Sequence, residues 1–160
     1  MQESTERMIN GLFLVMVIVL IFNFFYRDEI SNEQREQRYE SYLRNNLNDK
    51  TSIYLANLCK YSSNQVSCVM KETKDITIYV AEPGRKKPKK PSDYVVEGGD
   101  CKDSAIFYAT IFSELGYDVK FRFPLETHVS ITISKSFDGE KNYYCDIESD
   151  SYDCHWVMSA

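Results

Sequence analysis

The chain has 160 residues, twelve tyrosines, nine phenylalanines and a formal charge of −5. That length allows one ordinary domain plus something small, with enough aromatic mass for a sizeable core. The acidic balance gives no support for whole-protein nucleic-acid affinity. Five cysteines read as two bridges and one thiol in an oxidising compartment, or as five thiols in a reducing one.

In chain order, a short tail over 1–7 leads into "MINGLFLVMVIVLIFNFFY" (Met8 to Tyr26), which carries no charge and is bracketed by Arg7 and Arg27. A run of that length and apolarity is expected to be a transmembrane helix, with Phe24, Phe25 and Tyr26 at the aromatic belt. No small-x-small site suggests a cleaved signal peptide. The expected location is therefore a single-pass membrane protein touching the bilayer through 8–26. Arg27, Arg35 and Arg38 after the run favour a cytoplasmic C-terminal domain. The matched C-x8-C spacing of Cys59/Cys68 and Cys145/Cys154 favours the oxidising side, and an extracytoplasmic domain is the expectation.

Residues 27–48 read as a helical stalk or linker. Ser31 and Gln34 form a capping-box pattern, and Tyr39, Tyr42, Leu43 and Leu47 give an apolar stripe. The stripe suits self-association through 31–48 or packing on the chain's own domain. The domain itself is expected over 49–160. Thr51 to Tyr61 reads as a helix presenting Ile53, Leu55 and Leu58, and "DITIYVAE" (Asp75 to Glu82) as a strand. "GRKKPKKP" (Gly84 to Pro91) is a proline-broken basic stretch, a solvated loop or a contact for an acidic partner.

A helix is expected from Asp100 to Leu115, closed by Gly116 in the left-handed region. Cys101, Ala105, Tyr108, Phe112 and Leu115 fall on one face. Strands follow over Tyr117–Phe123, His128–Phe137 and Lys141–Ile147, the last two turned at Asp138-Gly139. A helix followed by an antiparallel meander is an α+β arrangement.

Cys101 opens that helix. Helix N-terminal N–H groups stabilise a thiolate and can hold an oxyanion. A nucleophilic cysteine also needs a base and a group that orients the base. His128 and Asp146 stand on the two hairpin strands. They share a face within diagonal reach if a three-residue loop, Phe137-Asp138-Gly139, sets Ser136 against Glu140 and Asp146 opposite Ser130. A zinc site drawn from Cys101, Cys145, Cys154, His128 and His155 lacks any C-x2-C pair. Asp103 reads first as a complement to the helix N-terminus.

"GGDCKDSAIFYATIFSELG", then "HVSITI", then "YYCDIE" resembles the transglutaminase-like superfamily, whose papain-like core sets a Cys helix against strands bearing His and Asp. The similarity covers roughly Pro91 to Glu148. It implies a cysteine-protease-like core, a catalytic helix packed on a small antiparallel sheet, preceded here by the single transmembrane helix. It implies Cys101 as nucleophile, His128 as base and acid, and Asp146 as the group orienting the imidazole, with no cofactor or metal. The implied activity is that of a membrane-anchored hydrolase or transferase. It would act on an amide of a protein or peptide substrate through a thioester, released by water or by an amine. Relatives often carry a Trp-Gln pair before the cysteine, where this chain has "KKPKKPSDY". A non-catalytic binding or assembly module of the same fold is the alternative.

Overall fold

The computed structural model describes the backbone of residues 2–82, 87–125, 128–137, 141–147 and 151–158. Five helices precede four strands: α1 Gln2–Asn46, α2 Lys50–Cys59, α3 Gln65–Thr73, α4 Pro91–Glu97, α5 Cys101–Glu114, β1 Asp118–Leu125, β2 His128–Phe137, β3 Lys141–Ile147 and β4 Tyr152–Met158. The strands form one antiparallel sheet in the order β1-β2-β3-β4. Backbone contacts divide the chain into a unit over 1–37 and a unit over 38–160.

The α+β expectation holds for the second unit, but the membrane helix does not. Among the described residues no helix is long and apolar enough to cross a membrane. The transmembrane helix expected over 8–26 is thereby overturned, along with the single-pass location and the bilayer contact. Of that run, the described side chains are those of 13–20. Phe24, Phe25 and Tyr26 lie outside the described side chains. The helix also runs on past Arg27, Asp28 and Glu29 to Asn46. Ser31 therefore sits inside a continuous helix, with no helix start to cap.

The end of α1 belongs to the second unit, and its stripe is used there. Tyr39 lies 5.2 Å from the Phe121 ring and 5.3 Å from Phe123, and Tyr42 and Leu43 pack against the same core. Left-handed Asn48 turns the chain (φ 74°). Asp49 then caps α2, accepting from the N–H groups of Thr51 and Ser52. Asn64 caps α3 by accepting from Ser67 N–H at 3.0 Å. A disulfide joins Cys59 at the end of α2 to Cys68 in α3.

The helix α5 is the centre of the fold. Every residue from Asp103 to Phe112 is buried, because β1 and β2 cover one side and α2 and α4 cover the other. The sequence stripe marks a single apolar face; the structure buries the helix all round, which its Ile106, Phe107, Ala109 and Ile111 allow. Gly116, at φ 79°, ends it as expected. On the sheet, Phe121, Val129, Ile131, Ile133, Cys145 and Ile147 are core residues, alternating along the strands with more outward positions. Cys145 and Cys154 are directly paired across β3 and β4 and joined by the second disulfide.

Phe107 is fully buried and stacks edge-on against both Tyr94 and Tyr108. Phe107→Ala should cost about 3–5 kcal/mol, read as a lowered denaturation midpoint with an unchanged slope.

Candidate functional site

The segment before Cys101 is shaped by a carboxylate. Asp103 is fully buried. It accepts the Lys89 N–H at 2.7 Å and the Asp100 N–H at 2.9 Å, while the Asp100 side chain accepts from Lys102 N–H. The two aspartates make a capping box, here with Asp in the place usually held by Glu or Gln.

The two glycines follow from the same packing. A Cβ on Gly99 would stand 2.3 Å from an Asp103 oxygen, so only glycine lets that carboxylate close on the backbone. Gly98 has φ 70° and ψ −178°, a region reserved for glycine, and a Cβ there would meet the Ile78 carbonyl oxygen at 2.7 Å. Lys89 completes the strap. Its ammonium donates to the Gly98 carbonyl at 2.7 Å and pairs with Glu82 at 2.7 Å and Glu97 at 3.2 Å. One cation of the basic stretch is thus committed inside the domain; Gly84, Arg85 and Lys86 lie outside the described residues.

These bonds place Cys101 at the first position of α5, half-buried and outside both disulfides. The other end of α5 is pinned to β2, because the Lys135 ammonium donates to the Leu115 carbonyl at 2.8 Å. The helix is about 20 Å long and His128 to Lys135 spans about 23 Å of strand. Cys101 and His128 therefore lie at the same end of the layer. His128 is half-buried and is the first residue of β2. By alternation it shares the parity of Ser130 and Thr132, while Val129 faces the core. A β-bulge between Arg122 and Leu125 lies beside it, an irregularity of the kind that re-aims side chains at sheet ends.

Asp146 stands elsewhere. Phe137 pairs with Lys141, which sets Asp146 opposite Thr132 rather than Ser130. The Thr132 hydroxyl donates to Asp146 at 2.6 Å, on the exposed side of the sheet. Thr132 is four positions along β2 from His128, about 13 Å, well beyond what an aspartate and an imidazole span. Cys101 and His128 share an end of the layer, with His128 on the strand parity opposite core-facing Val129, and Asp146 stands apart beside Thr132. The turn residues Asp138 and Gly139, and the side chain of His155, lie outside the described residues. Cys145 and Cys154, as a disulfide, supply no thiolate to a metal.

Two features carry no clear mark in the sequence. Asp75–Glu82 is not a strand; it makes one parallel bridge, Tyr79 to Gly99. A cavity of about 390 Å³ is lined by Tyr79, Tyr94, Tyr108 and Tyr152 with Lys74, Thr77 and Met70, and no acidic side chain is among its described lining residues. Tyr108 shares a face of α5 with Cys101, two turns or about 10 Å away. A run of tyrosines at unrelated spacings gives no sequence signal for such a cavity.

Removing the buried carboxylate by Asp103→Ala orphans two backbone N–H groups and should cost about 2–5 kcal/mol. Gly99→Ala should cost about 1–3 kcal/mol by displacing it. Both are read by chemical denaturation. Glu82 and then Glu97 raise the Lys89 pKa above its usual value, against the opposing effect of burial; burial raises that of the Tyr94 phenol. In both groups the folded state holds its proton more tightly, so this stability is complete below pH 10 and is lost as pH rises through the raised values. Denaturation midpoints should fall above about pH 10, and the fall should shrink in Lys89→Met. The chain matches no family model, no curated protein and no solved structure, and the case for chemistry at Cys101 rests on the residues around it.

Proposed function

We propose that the domain is a cysteine-dependent acyl-transfer or amide-hydrolysing enzyme of transglutaminase-like type, with Cys101 as nucleophile and His128 as its base. One observation carries the reading. Gly98, Gly99, Asp100 and Asp103 are each accounted for by a backbone or packing requirement, and together they deliver a half-buried thiol to a helix N-terminus at the end of the layer where the chain's first histidine stands.

In the reaction His128 takes the thiol proton as the Cys101 sulfur attacks an amide carbonyl. The N–H groups of the first α5 turn stabilise the oxyanion. As the C–N bond breaks, the imidazolium returns its proton to the leaving amine, leaving a thioester on Cys101. Water or a second amine then attacks the thioester, giving an acid or a new amide and restoring the thiol. Asp146 has no part in this scheme, since its carboxylate is held by Thr132.

A non-catalytic module of the same fold is favoured by one observation: the register carries Asp146 away from His128, leaving the expected third residue out of place. Alkylation of Cys101 by iodoacetamide across pH separates the two readings. The enzyme reading expects reaction well below the ordinary thiol pKa of about 8.5, slowed about tenfold at neutral pH by His128→Ala and changed less than about twofold by Asp146→Asn. A Cys101 that reacts only on unfolding ends the enzyme reading.

A further inference from the structure

The segment Ile78–Val80 has one edge used and one edge open. Gly99 N–H donates to the Ile78 carbonyl at 3.0 Å, and Val80 N–H donates to the Gly99 carbonyl at 2.8 Å. In a parallel bridge those bonds come from the residues flanking Tyr79, so its own N–H and carbonyl point to the opposite side. They bond to no other backbone group among the described residues. Ile78 is 65 % exposed and Tyr79 64 %. An extended edge with apolar side chains and unpaired backbone groups is a template for strand addition.

Its position gives the edge a purpose. Gly99 is two residues from Cys101 and Tyr79 stands one strand spacing, about 5 Å, across from Gly99, so the edge lies within about 12 Å of the thiol-bearing residue. Tyr79 also forms part of the cavity wall, so a strand laid on this edge has a side-chain pocket at hand. The aromatic lining suits a flat ring, and Lys74, with no acid among the described lining residues, repels a basic side chain.

We infer that an extended peptide adds as a strand to the open edge of Tyr79, on the side turned away from Gly99, and places an aromatic side chain in the tyrosine-lined cavity. This deepens the proposed function, naming the substrate as an unfolded or looped polypeptide with an aromatic residue near the amide attacked, and it rests on that reading for its chemical consequence alone.

The test titrates the full chain carrying Cys101→Ala with the capped peptide acetyl-Gly-Gly-Tyr-Gly-Gly-amide, reading the Tyr79 amide by NMR and hydrogen exchange. Strand addition expects the Tyr79 N–H to become about tenfold better protected. Binding should weaken about tenfold when the amides flanking the peptide's tyrosine are N-methylated, and by a similar factor when lysine replaces that tyrosine. Tyr152→Ala should reduce the tyrosine-over-lysine preference while keeping the Tyr79 protection. The inference is overturned if millimolar peptide leaves the Tyr79 amide unchanged, or if N-methylation costs nothing. Protection at Tyr79 without acylation of wild-type Cys101 upholds the docking edge and removes the catalytic reading. Acylation without that protection overturns the docking edge and keeps the enzyme.

Discussion

A single buried carboxylate organises the part of this fold where chemistry is possible. Asp103 draws the Lys89 and Asp100 N–H groups onto the first turn of α5. An acidic side chain with no exposure needs hydrogen-bond partners, and backbone donors supply them here. Once it is in place, Gly99 must lack a side chain, the 89–100 segment must close over the helix, and Cys101 is fixed at the helix start. The two glycines before the cysteine have a structural cause before they have a catalytic one.

That ordering bears on how the motif is interpreted. A Gly-Gly-Asp-Cys-x-Asp run is naturally taken as a catalytic signature, yet four of its six residues answer to backbone geometry. The thiol is the member whose identity packing explains least. Alanine or serine would fit the first position of a helix as well, and neither would supply a thiol.

The sequence is most legible where periodicity is strong and local. The strands His128–Phe137 and Lys141–Ile147 match residue for residue, and α5 with its Gly116 terminator matches to within a residue at either end. Short elements escape it: α3 has nine residues, and α4 has seven, although Pro91 at its first position is a helix-start signal. β4 escapes too, although the Cys145–Cys154 spacing fits a directly paired neighbour of β3. Asp75–Glu82 has strand composition but makes a single bridge among the described residues. The hairpin register is out of reach because it depends on loop geometry rather than strand composition. A two-residue shift of Asp146 from Ser130 to Thr132 keeps its face and loses its neighbour. For the first helix, an uncharged run reads as a bilayer span, whereas among the described residues no helix meets that requirement.

The two disulfides each join cysteines nine residues apart, and this bears on how the chain acquires them. Cys101 lies 33 residues beyond Cys68 and 44 before Cys145 (101 − 68 and 145 − 101). Closing the larger loop in an unfolded chain costs about 1 kcal/mol more than closing the native one, so oxidation favours the correct partners while the chain is still a coil. That difference favours the native pairs about fivefold, so spacing lowers the share of products in which Cys101 is mispaired before the chain has folded.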